Sequence, residues 1–144
     1  MSTPFSDLGL NDSLTRTVAE RGYTDPTPIQ AALIPSLLDG RDVVGQAQTG
    51  TGKTAAFALP MLHHLGEGTG ELRGLVLCPT RELARQVAEA IHTYGEESGI
   101  RVLPIYGGQP YGRQIRRLKA GVDIVVGTPG RLLDLIRKGA IDLS

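Results

Sequence analysis

Residues 45–57 read GQAQTGTGKTAAF, and their types and spacing could hold a phosphate. Gly50 and Gly52 allow a tight turn whose N–H groups face inward as an anion nest. Lys53 follows, placed to reach the β- and γ-phosphates of a nucleotide, and the hydroxyl of Thr54 can ligate Mg²⁺. Ala47, Gln48, Thr49 and Thr51 complete the loop. The spacing matches G-x-x-x-x-G-K-[ST], except that Ala47 stands where the first glycine belongs. Alanine is admissible there if its φ is negative and its N–H does not touch phosphate.

Such a loop works only between a strand and a helix, and the chain supplies that pattern repeatedly. Asp12–Arg21 predicts a helix with Leu14, Val18 and Ala19 inward and Gly22 as its stop. Pro28–Asp39 predicts another, kinked by Pro35 and ended by Gly40. Four β-branched runs then each lead into a helical pattern. DVVGQA precedes Lys53–Leu65, and GLVLCPT precedes Arg81–Tyr94, where Leu83, Val87, Ala90 and Ile91 recur at helical spacing. RVLPIYGG precedes Tyr111–Ala120, and DIVVGTPGR precedes Arg131–Lys138. This alternation predicts an α/β fold, a parallel sheet with helices on both faces. Right-handed crossovers would put all the strand C-termini on one edge, where open sheets bind ligands.

Composition narrows the class. A chain of 144 residues is one domain's worth and long enough to bury a core. The apolar runs are short and broken, and MSTPFSDLGL lacks a basic stretch leading into an apolar one. Neither a membrane span nor a signal peptide is expected, and the expected location is cytoplasmic. Cys78 stands alone and reads as a small core residue, while adjacent His63 and His64 face different sides of a helix and suggest no metal site. Net charge is zero but unevenly spread. Residues 1–72 carry four Lys/Arg against eight Asp/Glu, and residues 73–144 carry eleven against seven. The arginine-rich second half points toward phosphates as a partner.

Several strings then fall in a telling order. AQTGTGKT resembles, letter for letter, motif I of the DEAD-box ATP-dependent RNA helicases, in which alanine is the usual residue at this departure. GYTDPTPIQ, Gly22 to Gln30, resembles the family's Q motif, and Phe5 stands seventeen residues before Gly22 as the family's isolated aromatic does. PTRELA at 79–84 resembles motif Ia, Gly107-Gly108 the glycine doublet, and TPGR at 128–131 motif Ib. Together they span nearly the whole chain.

The resemblance implies a RecA-like P-loop domain, residues 1–144, with the Q-motif region at about 5–30. It implies ATP and Mg²⁺ as cofactors, with Gln30 pairing to adenine, Tyr23 beneath its ring, and Lys53 and Thr54 as the catalytic pair, Thr54 being the metal ligand. It implies RNA as partner, gripped along its backbone by Pro79, Thr80, Arg81, Glu82, Gly107, Gly108, Thr128, Pro129, Gly130 and Arg131. The physical device is one the sequence repeats: Thr80 and Thr128 each cap a helix whose free N–H groups can hold phosphate. Backbone contact without base readout predicts sequence-independent, salt-sensitive binding.

Phosphoryl transfer needs a second acidic site, and no Asp-Glu pair and no Ser-Ala-Thr occur in the sequence. On the family pattern the sheet would be incomplete at its C-terminal end, and a second RecA-like domain would be missing. The DVVGQA strand would lose neighbours, which predicts self-association through exposed strand edges. Two alternatives follow: a nucleotide- and RNA-binding module without hydrolysis, and a P-loop ATPase of another kind, such as a DNA helicase.

Overall fold

The computed structural model describes residues 4–47 and 52–144, which form two compact units, one ending at Gly66 and the other Glu67–Ser144. The first unit is helical. After a 3-10 turn at Phe5–Asp7 come α1 (Asp12–Glu20), α2 (Pro28–Leu38) and α3 (Lys53–Leu65). Asn11 caps α1 by accepting from the Leu14 N–H at 2.9 Å, and Thr27 caps α2 with Pro28 in its first turn. α2 packs on α3, and Ile34, Leu59, Leu62, Leu14 and Val18 are buried in this unit. Each such side chain contributes roughly 1.5–3 kcal/mol by leaving water. One correction concerns this unit: Ala19, expected inward, is exposed. Pro35 lies inside α2, which runs on through it to Leu38.

The segment DVVGQA forms no strand, although alternation with α3 predicted one, and Val44 is 98 % exposed. A strand exists only through a hydrogen-bonded neighbour, and among the described residues none pairs with 42–47. Three of the four expected strands form.

Those three make up the second unit's sheet: β1 (Gly74–Leu77), β2 (Val102–Ile105) and β3 (Ile124–Gly127), all parallel, in the order β1-β3-β2. Between them run α4 (Arg81–Gly95) and α5 (Tyr111–Ala120), and α6 (Pro129–Arg137) follows. Central β3 is buried at every position, as a parallel strand covered on both faces must be. One face of β2 and β3, Leu103, Ile105 and Val125, packs with Leu132 and Leu135 of α6 and with Ile115 and Leu118 of α5. α4 packs against β2 and β3 and buries Ala84, Val87, Ala88 and Ile91. Its Leu83 is 39 % exposed, against expectation, because it stands in the helix's first turn beyond the sheet edge.

Below the sheet, Asp123 is fully buried. Its carboxylate accepts from the N–H groups of Thr69 (2.8 Å), Gly70 (3.1 Å) and Arg101 (2.9 Å), and from the Arg73 guanidinium at 3.1 Å. One side chain thus fastens the 67–73 loop and the entry to β2 to the start of β3.

Candidate nucleotide and nucleic-acid site

The residues expected to hold a nucleotide lie in the first unit. Gly52 precedes α3 with φ +84, a conformation that costs glycine little and a side-chain residue about 1–2 kcal/mol. Lys53 and Thr54 form the first turn of α3, Lys53 exposed and Thr54 half-buried, at the positive end of the helix dipole. Ala47 is half-buried, and Gln48, Thr49, Gly50 and Thr51 lie outside the described residues.

Gln30 is 6 % exposed, and its amide is already engaged. Its Nε2 donates to the Gly52 carbonyl at 3.1 Å, and its Oε1 accepts from the Thr27 N–H at 2.9 Å. The Thr27 hydroxyl accepts from the Gln30 N–H in return, closing a capping box. A primary amide carries two N–H donors and two lone pairs on its oxygen, so one of each remains. Spacing alone could not show that Gln30 reaches the phosphate loop, since 22 residues separate it from Gly52. A Cβ on Gly52 would collide with the Gln30 amide, so the contact itself requires glycine there. Tyr23 is 49 % exposed, and buried Phe5 donates its N–H to the Thr24 carbonyl nearby at 3.3 Å.

A hard cation takes oxygen ligands, and Mg²⁺ keeps most of its shell as water and phosphate, so one threonine hydroxyl is a fitting protein donor. Thr54, half-buried in the first turn of α3, has that chemistry. No cluster of His, Cys, Asp or Glu able to hold a metal exists among the described residues. His63 instead accepts from the Asn11 N–H at 3.1 Å, and His64 donates to the Leu37 carbonyl at 2.9 Å. Cys78 is a buried free thiol, and burial pushes its pKa up.

The other candidate residues share one edge in the second unit. Register pairs Leu77 and Ile105 each with Gly127, so all three strands end together. Cys78 donates to Gly127 and Thr128 donates to Ile105, carrying the ladder one step further. From this edge emerge Pro79–Glu82, Gly107-Gly108 and Thr128–Arg131. Thr80 caps α4 by accepting from Leu83 at 3.2 Å. Thr128 occupies the equivalent place before α6 but makes no side-chain cap, contrary to expectation. Pro129 stands at the first helical position, as Pro28 does in α2, where Thr27 nevertheless caps. Pro129 and Gly130 are exposed.

Gly108 has φ +87, and a Cβ there would lie 3.0 Å from Nη1 of Arg81. The doublet loop, although it follows β2, therefore reaches α4. Glu82 in the first turn of α4 pairs with Arg85 at 2.6 Å, which holds its carboxyl below the usual range. Arg131 is more engaged than its sequence suggests. Its Nη1 donates to the Gln109 carbonyl (2.8 Å) and Gln114 Oε1 (3.0 Å), and its guanidinium carbon lies 3.8 Å from the Tyr111 ring centroid.

A family model described as DEAD/DEAH box helicase matches residues 27–144. The chain is 57 % identical over 141 residues to "ATP-dependent RNA helicase DeaD" of Buchnera aphidicola, covering 97 % of this chain and 24 % of that protein. It is 52 % identical over 142 residues to "DEAD-box ATP-dependent RNA helicase CshA" of Bacillus cereus, covering 99 % of this chain and 27 % of that one. Among solved structures, a DEAD box protein from Methanococcus jannaschii superposes with a TM-score of 0.92 at 39 % identity, covering 99 % of this chain and 39 % of that chain. A hypothetical ATP-dependent RNA helicase from Sulfolobus tokodaii gives 0.85 at 47 % identity, covering 94 % and 39 %. The chain spans about a quarter of the length of the curated relatives it matches.

Proposed function

Because the chain belongs to the DEAD/DEAH box helicase family, we propose that it is the ATP- and RNA-backbone-binding part of an ATP-dependent RNA helicase, acting in the cytoplasm. The observation that carries this reading is the hydrogen bond from Gln30 to Gly52. It puts an amide with one free donor and one free acceptor beside a phosphate loop, and adenine's N6–H and N7 need that pair. Guanine presents acceptors at both corresponding positions and would leave the Gln30 oxygen facing an acceptor.

In this reading the anion nest and Lys53 hold the triphosphate, Thr54 would hold Mg²⁺, and Tyr23 lies against the base. Mg²⁺, when bound, neutralises charge on the phosphates. The chain's own residues orient the nucleotide: Gln30 reads the base edge while its bond to Gly52 ties that reading to the loop. Pro79–Glu82, Gly107-Gly108 and Thr128–Arg131 supply N–H groups and positive charge to one RNA strand. A second reading rests on the absence of any Asp-Glu pair in residues 1–144: taken alone, this chain binds nucleotide and RNA without hydrolysing ATP.

Titration with labelled ADP and labelled GDP decides the first point. Saturable binding of ADP alone is expected, and equal binding of both would retire the adenine-specific reading. Adding single-stranded RNA and then DNA distinguishes an RNA helicase from another P-loop ATPase.

A further inference from the structure

We propose that Arg131 is a positioning residue for RNA: its guanidinium clasps the loop after β2 and holds the glycine doublet against α4, and it does not itself grip a phosphate. The proposal rests on the RNA-binding reading above and changes what Arg131 does within it.

A side chain that serves phosphate should present its donors to solvent. Arg131 turns a donor inward. One nitrogen, Nη1, donates both to the Gln109 carbonyl and to the Gln114 side chain, at 2.8 and 3.0 Å. The guanidinium also covers the Tyr111 ring. That ring is fixed from below, since the Tyr111 hydroxyl donates to Asp134 at 2.7 Å, three residues along α6 from Arg131. Gln114 is 3 % exposed, and its Nε2 donates to the Tyr106 carbonyl at 3.3 Å. Gln109 adds a 3.3 Å bond to the Tyr106 hydroxyl. The stretch 106–114 is therefore stitched at Tyr106, Gln109, Tyr111 and Gln114, and Arg131 touches three of these four.

The consequence falls on Gly108. It immediately precedes Gln109 and lies beside Nη1 of Arg81. Pulling Gln109 toward α6 sets how far the doublet stands from the N-terminus of α4, and so the spacing between two of the proposed phosphate contacts. A lysine could keep the charge of Arg131 and a donating nitrogen but could not stack as a plane on Tyr111. With alanine at 131 the Gln114 oxygen, buried, would lose its partner.

Fluorescence-anisotropy titration of labelled oligouridylate against the full chain, over a salt series, reads the difference. Arg131→Ala should weaken binding about tenfold without changing the slope of log affinity against log salt, because no phosphate contact is lost. Arg131→Lys should fail to rescue. Gln114→Ala, which removes no charge, should weaken binding comparably, and the double variant should be no weaker than Arg131→Ala alone. Restoration by lysine overturns the proposal. So does a slope reduced by about 0.7 with Gln114→Ala unaffected, since that is the signature of one lost phosphate contact on a single strand. Hydrogen exchange without RNA supplies an independent reading. Arg131→Ala should speed exchange across residues 106–114 at least several-fold while β3 stays protected, and unchanged exchange overturns the clasp. A wild-type chain that binds no oligouridylate sinks the RNA reading instead.

Discussion

Asp123 shows at the residue scale what a buried charge needs. Burial by itself pushes a carboxyl's pKa up, yet here the N–H groups of Arg101 and Thr69, the Arg73 guanidinium and the Gly70 N–H together outweigh burial and hold it below the ordinary value. A depressed folded pKa contributes stability that is fully present above the unfolded value, about 3.9, and is lost as pH falls through the folded one. Asp123→Asn places an amide N–H against donors it cannot satisfy. The loss should be about 3 kcal/mol at neutral pH, the order found when one partner of a buried pair is removed. Denaturant midpoints of both forms check this, and the gap between them should shrink below about pH 4. A gap independent of pH would show that charge is not what Asp123 contributes. Gln30 belongs to the same scale. Gln30→Ala should lower ADP affinity about tenfold and bring it toward that for GDP, a loss of the size expected for one buried hydrogen bond.

Elements carry the next set of constraints, and two glycines mark where they meet. Gly52 combines φ +84 with close approach of the Gln30 amide and the Thr27 hydroxyl. Gly52→Ala therefore meets backbone strain and a clash at once, and should cost more nucleotide affinity than Gln30→Ala; an equal loss in ADP titration would mean the loop tolerates the methyl group. Gly108→Ala meets the same conformational penalty and displaces Arg81. Its RNA affinity should fall several-fold while ADP binding is unchanged, because the site it alters lies wholly in the second unit. Edges matter as much as termini. β1 pairs only with β3 among the described residues, and its Leu75 and Leu77 are 38 % and 62 % exposed. They line an apolar groove of about 260 Å³ with Pro129, Leu132, Leu133, Ile136, Ile141 and Leu143.

For the whole molecule, that groove beside a strand edge is apolar surface on which a second copy could pair. The chain of residues 1–144 should self-associate as concentration rises, and Leu77→Lys should suppress this by placing a charge on the edge. Sedimentation velocity over a tenfold concentration range measures it; a single monomeric species throughout would sink the idea. Among the described residues, no helix is long and apolar enough to cross a membrane.

What the residues announce by themselves is local. α3 and α5 begin and end where the sequence pattern puts them, Thr27 and Thr80 cap as their types predict, and Lys53 and Thr54 open a helix. These features depend on neighbours within a few positions, and a sequence prints those neighbours side by side. What tertiary structure alone decided depends on distant partners. The order β1-β3-β2, the unpaired 42–47 segment, the Gln30–Gly52 bond and the commitment of Arg131 to Gln109, Gln114 and Tyr111 all follow from contacts between residues far apart in the chain. An exposed-looking arginine in a family motif and an arginine locked over a tyrosine are the same letter, and only packing tells them apart.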